Sequence, residues 1–284
     1  MRIAVLGLGE AGWRYATDLL AAGHDVSGYD PAPIPTPAGL WRAATAADAV
    51  FGVELVLGLT GARFAATAAA DAAAGLSEHA CFADFNSASP AEKQAIARAL
   101  ADTGAAVADV AVLAPVPRRG AATALIVSGS GAERVAGVFR SVGAPVDVLD
   151  EPVGAAAGRK LLRSVFMKGL AATVLEAVLA GAAAGCEDWV RGQIAGELGE
   201  GGPALLDRLI TGTRAHAGRR VHEVAASREY LAGLGVHTWI CDATLAWLGE
   251  LAPAVDDADN SADSAADSAS DGATNSASDG VTSR

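Results

Sequence analysis

Three glycines near the start of the chain have the spacing of a phosphate-binding turn. The segment 7–12 reads GLGEAG, follows the apolar run RIAVL and precedes an amphipathic stretch. In such a turn the first glycine permits the tight bend, the second lets a pyrophosphate approach the backbone, and the third allows close helix–strand packing. The free N–H groups and the dipole of the following helix bind the phosphates. The pattern predicts phosphate contacts at Gly7, Gly9, Glu10, Ala11 and Gly12.

An acidic residue follows where a dinucleotide would place its ribose. Asp30 closes the second predicted strand, 18 residues after Gly12, and its carboxylate can accept hydrogen bonds from ribose hydroxyls. The same charge repels a 2′-phosphate, and no arginine follows before Arg42. The pattern favours NAD as the cofactor and leaves NADP open. We expect Leu59 and Thr60, at the end of the third predicted strand, to lie beside the dinucleotide.

Lysine is rare in this chain, and two of its three lysines lie on one predicted helix. Lys93, Lys160 and Lys168 stand among 21 basic residues, and the others are arginine. Positions 160, 164 and 168 advance by about 40° per step on a helix, so they share one face. A lysine whose pKa is lowered by desolvation or by a nearby cation can accept a hydroxyl proton. The alternative is that both lysines are solvated residues of a long helix.

The elements that would position these residues alternate between strand and helix. Strand-like runs occur at 2–6, 24–30, 54–59, 80–85, 105–112, 124–129 and 145–149, with Ala-rich helices between them. This alternation predicts a parallel sheet with helices on both faces. The predicted fold class is α/β, a doubly wound Rossmann sheet, followed by an all-α C-terminal domain.

The pattern changes near residue 154. Helical periodicity covers 155–184, 187–198, 202–216, 217–233 and 237–250, and Trp239 and Trp247 are expected in the helical core. We predict an NAD(P)-binding domain at 1–152, a helical substrate and dimerisation domain at 153–251, and a disordered acidic tail at 252–284. The tail has almost no large apolar residue, so burial cannot offset its ordering entropy.

Charge and cysteine content exclude several classes of function. Half of the formal net charge of -12 lies in the tail, and the pI is about 4.8. With no basic block, a nucleic-acid partner is excluded. Three widely spaced cysteines form neither a disulfide framework nor a metal site, and we expect them to be buried. No membrane segment and no metal are predicted, and the expected location is cytoplasmic.

Several motifs resemble the β-hydroxyacid dehydrogenase superfamily, which includes 6-phosphogluconate and 3-hydroxyisobutyrate dehydrogenases. The opening VLGLGEAG is similar to that family's GLGxMG start. A bacterial 6-phosphogluconate dehydrogenase-like branch, with a C-terminal helical domain of unknown function, shares three segments: GEAG at 9–12, RSVFMKG at 163–169 and HAGRRVHE at 216–223. The resemblance covers about residues 1–250.

The resemblance implies that a lysine early in the interdomain helix is the general acid/base. Lys160 fits that position, with Ser164 where the family has asparagine. It also implies that the loop 84–90, with Asn86 and Ser87, lies near nicotinamide and substrate. An N-cap role for this loop is equally compatible. The family's Ser-Gly-Gly, which holds the substrate carboxylate, is replaced by Leu113-Ala114-Pro115, so the substrate stays open.

The charged helical segment after residue 213 offers further substrate contacts. His216, Arg220 and Glu223 share one helical face, which suits either an anion-binding patch or a salt-bridged surface. We expect Lys168, Arg163, His216 and Arg220 to contact an anionic small-molecule substrate. HxxRRxxE offers no third convincing ligand, so it does not predict a metal site.

These observations predict an NAD(P)-dependent oxidoreductase that acts on a small hydroxyacid or on the corresponding carbonyl. Two alternatives remain: an NADPH-dependent imine reductase, and a catalytically silent dinucleotide-sensing protein. Lys160 argues against the first, and the two lysines of the interdomain helix argue against the second. The long apolar helix predicts a homodimer.

Overall fold

Residues 1–252 are described by the computed structural model, and within them eight strands form one sheet. The predicted acidic tail, apart from Ala252, lies outside the described residues. The strands are β1 (Arg2–Leu6), β2 (Asp25–Tyr29), β3 (Trp41–Arg42), β4 (Leu55–Gly58), β5 (Cys81–Asp84), β6 (Ala106–Val112), β7 (Leu125–Ser128) and β8 (Val146–Leu149). Their order is β3-β2-β1-β4-β5-β6-β7-β8.

One strand runs against the direction of its neighbour. β7 pairs with β6 antiparallel, whereas the other six adjacent pairs in the described sheet are parallel. A parallel return needs a long crossover, usually a full helix. The connection 113–124 holds only a one-turn helix and a short 3₁₀ turn. The predicted parallel sheet is therefore confirmed except at this return.

Helices cover both faces of the sheet, which confirms the doubly wound class. In the first part of the chain they are α1 (Glu10–Ala21), α2 (Ala46–Val50), α3 (Ala62–Ala73), α4 (Pro90–Ala99), α5 (Val116–Arg119) and α6 (Ala132–Ser141). α4 begins with a capping box, in which Ser89 and Glu92 bond each other's backbone N–H. Two apolar clusters, one on each face of the sheet, form the core of this region.

The chain then continues into helices alone. They are α7 (Ala155–Ala183), α8 (Glu187–Glu197), α9 (Gly202–Ala215), α10 (Ala217–Gly233) and α11 (Trp239–Leu251). Each of the five predicted helices is present, with ends within two residues of those expected. α7, at 29 residues, packs on β6 and β7 near its start and on α8, α9, α10 and α11 along its length.

Small residues on α7 allow its neighbours to approach. A Cβ at Gly158 would lie 2.7 Å from the Tyr230 hydroxyl, and one at Gly169 would lie 2.7 Å from Ile240 Cγ2. α7 is also the one described helix that is long and apolar enough, by length and composition, to cross a membrane. That criterion is weak, because core helices of water-soluble proteins meet it too.

Two side chains that the sequence analysis expects to be buried, Trp239 and Cys186, are exposed. Trp239 is 72% exposed and stacks on His237, so its predicted core position is wrong. Cys186 is also exposed, whereas Cys81 and Cys241 are buried as expected. The exposed apolar residues of the helical region are Leu162, Phe166, Leu179, Trp189, Leu234, Val236, Trp239 and Ile240.

Candidate active site

The glycine-rich turn between β1 and α1 has the shape that a pyrophosphate requires. Gly7 adopts φ 92°, and a Cβ there would lie 2.5 Å from the Leu59 carbonyl oxygen. A Cβ at Gly12 would lie 1.9 Å from the Gly7 carbonyl oxygen, so only glycine permits this helix–strand approach. Gly9 caps α1 and faces open space, with nothing within 4 Å of an added Cβ. Exposed Glu10 and half-buried Ala11 begin the helix.

The neighbouring loop after β4 offers an unsatisfied polar group. Thr60 Oγ1 is buried, and no described residue forms a hydrogen bond with it. A buried hydroxyl without a partner costs about 1–3 kcal/mol. Leu59 donates its N–H to the Leu6 carbonyl at 2.7 Å and so stays beside the glycine turn. The turn and this hydroxyl fit a dinucleotide.

Asp30 lies beside the glycine turn, as its place in the sequence predicts. Its Oδ2 accepts the Leu8 N–H at 2.8 Å, and its Oδ1 accepts the Ala32 N–H at 2.9 Å. Arg42 donates to the carbonyl oxygens of Asp30, Ala32 and Ile34. The Arg42 guanidinium therefore braces the loop after β2 through backbone oxygens.

Lys160 reaches across from α7 to the loop after β5. Its Nζ donates to Ser87 Oγ at 2.6 Å, although the two residues are 73 positions apart in sequence. Burial lowers the pKa of Lys160 from its usual 10.5 to about 8, against the opposing effect of Glu223. Lys93 and Lys168 lower this pKa further. An amine with such a pKa exchanges protons near neutral pH.

Two turns along α7, Lys168 meets a carboxylate of α10. Its Nζ lies 2.8 Å from Glu223 Oε2, and Arg219 lies 3.8 Å from the other oxygen. Burial raises the pKa of Glu223, but Lys168, Arg219 and Lys160 lower it more, so the net pKa is below its usual value. The charged patch expected on α10 is thus joined to the lysine face of α7.

Beneath Ser87 lies an ion cluster that the sequence motifs did not predict. Lys93 Nζ lies 2.9 Å from Asp84 Oδ2 and 3.2 Å from Asp109 Oδ1, and it donates to the Asp84 carbonyl at 2.7 Å. All three side chains are at most 3% exposed. The two aspartates are partners on adjacent strands β5 and β6. The scarcity of lysine was a signal that could have identified Lys93.

Asn86 is committed to the protein's own hydrogen bonds. Its Nδ2 donates to Asp84 Oδ1 at 2.6 Å, and its Oδ1 accepts the Gly61 N–H at 2.7 Å. It is 7% exposed. Asn86 therefore lies at the expected edge, but its amide joins the loops after β4 and β5.

The other expected site residues are distributed along the helical region. Ser164 is half-buried one turn after Lys160, and Arg163 is exposed. His216 is half-buried between α9 and α10. Arg220 donates to Thr213 and lines, with Lys168 and Trp247, a small crevice between helices. The structure thus brings Lys160 together with Ser87, and it places Lys168 and Arg220 on one crevice, with Lys168 paired to Glu223.

Together the doubly wound sheet, the glycine turn and the carboxylate after β2 define a dinucleotide-binding protein. Residues 2–151 match the sequence model of the NAD binding domain of 6-phosphogluconate dehydrogenase. The chain belongs to this family. It is accordingly an NAD(P)-dependent oxidoreductase whose cofactor is NAD or NADP. Residues 182–251 match a domain of unknown function, DUF1932. No curated protein matches the chain.

Solved structures share this architecture. A conserved hypothetical protein from Sinorhizobium meliloti 1021 is 27% identical, with 88% of this chain and 87% of that chain covered and a TM-score of 0.71. The 3-hydroxyisobutyrate dehydrogenase of Mycobacterium tuberculosis is 19% identical (88% and 92% covered, TM-score 0.74). An imine reductase variant from Myxococcus stipitatus, in complex with NAD+, is 21% identical (88% and 92% covered, TM-score 0.64). The last two likenesses concern the fold alone.

Proposed function

We propose that the chain is a dehydrogenase that oxidises a small hydroxyacid, or reduces the corresponding carbonyl, with Lys160 as the general acid/base. The observation that carries the proposal is the Lys160 ammonium at the carboxyl edge of the sheet, 2.6 Å from Ser87 Oγ. Its pKa of about 8, lowered chiefly by burial, suits proton transfer near neutral pH.

In the oxidation direction neutral Lys160 takes the hydroxyl proton of the substrate while the carbinol carbon loses a hydride and becomes a carbonyl. The dinucleotide, when bound, supplies the hydride acceptor. Ser87 orients the Lys160 amine through the hydrogen bond between them. Ser164, one turn further along α7, is its proposed hydrogen-bonding neighbour. In the reverse direction Lys160 returns the proton to the developing alkoxide.

The proposed binding roles follow the same geometry. Gly7 to Gly12 would hold the pyrophosphate, Asp30 the adenosine ribose, and Leu59 and Thr60 the part of the dinucleotide nearer to Lys160. We assign the contacts with an anionic substrate to Ser87, Lys168, Arg163, His216 and Arg220, whereas Asn86, whose amide bonds Asp84 and Gly61, is left the role of holding the loop that carries Ser87. Lys168 is the strongest of these candidates, because its ammonium lies on the same helix face as Lys160 and pairs with a single carboxylate.

One observation favours imine reduction as a second candidate. The loop after β6, where the related hydroxyacid enzymes hold a carboxylate, is Leu113-Ala114-Pro115. Leu113 donates its N–H to the Ala124 carbonyl, and proline has no N–H, so this loop offers an anion few donors. An uncharged carbonyl or imine substrate needs fewer hydrogen-bond donors than a carboxylate, so it would lose less binding free energy at such a loop.

A cofactor panel followed by a substrate panel distinguishes the candidates. Thermal shifts with NAD, NADH, NADP and NADPH identify the cofactor, and absorbance at 340 nm then follows pooled hydroxyacids, carbonyls and imines. Turnover of hydroxyacids that falls about 10²–10⁴-fold in Lys160→Ala supports the proposal. Turnover confined to imines supports the second candidate, and cofactor binding with no turnover supports a sensing protein.

We also propose that the domain limits lie at 1–152 and 153–251 and that the protein functions in the cytoplasm.

We propose further that the chain forms a homodimer through its helical domain. Support for the dimer comes from Phe166, which is 66% exposed on α7, and from Trp239 and Ile240, which are 72% and 59% exposed on α11. Apolar patches of this kind mark protein interfaces. Sedimentation of Phe166→Asp tests the proposal: a dimer that becomes a monomer supports it, and a monomeric parent chain contradicts it.

A further inference from the structure

A single buried ammonium connects the two elements that carry the Lys160–Ser87 pair. Lys93 extends from α4 beneath the carboxyl edge of the sheet and contacts Asp84 at the end of β5 and Asp109 in β6. A buried lysine requires paired carboxylates, because an isolated buried charge is very costly. The three side chains therefore hold one another in place.

The Asp84 branch of the cluster leads to Ser87. Asp84 Oδ1 accepts the backbone N–H of Asn86 at 3.1 Å and its side-chain amide at 2.6 Å. Ser87 is the next residue, and the Asn86 side chain also fixes Gly61 of the loop after β4. Lys93 holds the other oxygen of Asp84 and so fixes the loop that presents the Ser87 hydroxyl.

The Asp109 branch leads to Lys160. Asp109 Oδ2 accepts the backbone N–H groups of Gly154 and Ala157, at 3.2 Å and 2.8 Å. These belong to the N-cap and first turn of α7, and Lys160 follows three residues later. A carboxylate at a helix N-terminus satisfies free N–H groups and complements the helix dipole. Asp109 therefore sets the position of the helix that carries Lys160.

We propose that Lys93 is a positioning residue for the Lys160–Ser87 pair: its ammonium ties the carboxylate that holds the Ser87 loop to the carboxylate that holds the first turn of α7. The inference rests on the proposed function of Lys160. Lys93 does not touch the reacting atoms and acts through Asp84 and Asp109.

The charges of Lys93 and Asp109 also affect the pKa of the Lys160 amine. Burial is the largest cause of the lowered pKa of Lys160, and among neighbouring charges Lys93 lowers this pKa whereas Asp109 raises it. Removing the Lys93 ammonium while Asp109 remains should therefore raise the pKa of Lys160. Loosening of α4 that admits water to the Lys160 amine would also raise this pKa, because burial is its largest cause, so the test needs a control that loosens α4 without removing a charge.

The test measures the reactivity of Lys160 directly. Pulse acetylation with acetic anhydride at graded pH, read by peptide mass spectrometry, is well suited to a chain with only three lysines. Lys93→Met leaves two carboxylates facing each other, so the second variant is Lys93→Met with Asp84→Asn, which keeps the cluster's net charge at -1. Ile96→Ala, buried one turn further along α4, is the matched control for loosening of that helix.

In both Lys93 variants we expect the midpoint of Lys160 acetylation to move to higher pH. Reactivity at pH 7.5 should then fall about tenfold for each pH unit by which the midpoint rises. In Ile96→Ala the midpoint stays. An unchanged midpoint in the Lys93 variants, the same rise in Ile96→Ala, or unfolding of both Lys93 variants would each overturn the proposal. Acetylation requires no turnover, so this result is independent of whether Lys160→Ala loses activity.

Discussion

Replacing Lys160 by methionine should change how the stability of the fold depends on pH. Burial lowers the pKa of Lys160 from 10.5 to about 8 in the folded chain. Between these values the unfolded chain binds more protons than the folded chain at this site, so the free energy of unfolding rises with pH. Lys160→Met removes this contribution.

The size of the effect follows from the same pKa. One pKa unit corresponds to about 1.4 kcal/mol. Between pH 7 and pH 9.5 the free energy of unfolding of the parent chain should therefore gain roughly 2 kcal/mol relative to Lys160→Met. Loss of the hydrogen bond with Ser87 changes the free energy of unfolding of the variant by a similar amount at every pH in this interval. It therefore cancels when the change between pH 7 and pH 9.5 is compared between the two proteins.

Urea unfolding of both proteins at half-unit steps from pH 7 to 9.5 measures this difference. Arg163→Met is the matched control, because Arg163 is exposed on the same helix and arginine keeps its charge throughout the interval. Its curve should run parallel to that of the parent chain. Parallel curves for Lys160→Met as well would show that Lys160 is not desolvated, and the reasoning would be wrong.

Three further outcomes are expected. Gly9→Ala should change the free energy of unfolding by no more than about 1 kcal/mol, because the added Cβ meets nothing within 4 Å. It should weaken NAD binding at least tenfold, because the methyl group fills the proposed pyrophosphate site; an NAD dissociation constant equal to that of the parent chain would show that the pyrophosphate does not lie at Gly9. Asp30→Ala should narrow the preference for NAD over NADP, measured as a ratio of dissociation constants, and an unchanged ratio would remove Asp30 from the ribose site. Glu223→Gln should move the acetylation midpoint of Lys160 to lower pH, because Glu223 raises that pKa; a move to higher pH would contradict the assigned electrostatics.

Features that depend on local spacing could be predicted from the sequence. The GxGxxG turn needs three glycines at fixed positions, and the structure shows the close approaches at Gly7 and Gly12 that explain them. The long helix α7 is predictable because its periodicity continues without a break from 155 to 184. Lys160, placed by the family motif and by its helix face, lies at the sheet edge beside Ser87.

Features that depend on contacts between residues far apart in the chain could not be predicted from the sequence. Lys93 meets Asp109 through a contact between α4 and β6, and no local pattern encodes that pairing. The sequence suggests that Asn86 faces the substrate, but its amide is used by Asp84 and Gly61, which only the packing of three loops determines. The reversal of β7 is different, because the short connection between the strand-like runs 105–112 and 124–129 is visible in the sequence and could have indicated an antiparallel return. Trp239 has a core-like pattern, yet its side chain is exposed.

The pH dependence of turnover tests the role of Lys160 most directly. For the hydroxyacid that the substrate panel identifies, kcat/KM of oxidation should rise with pH through a midpoint near 8, because kcat/KM reports ionisations of the free protein and burial lowers the pKa of Lys160 to about 8 there. In Lys160→Met, kcat should fall about 10²–10⁴-fold and the midpoint in kcat/KM should disappear, while the NAD dissociation constant stays the same. A variant that retains the kcat and the pH profile of the parent chain would contradict the assignment of Lys160 as the general acid/base.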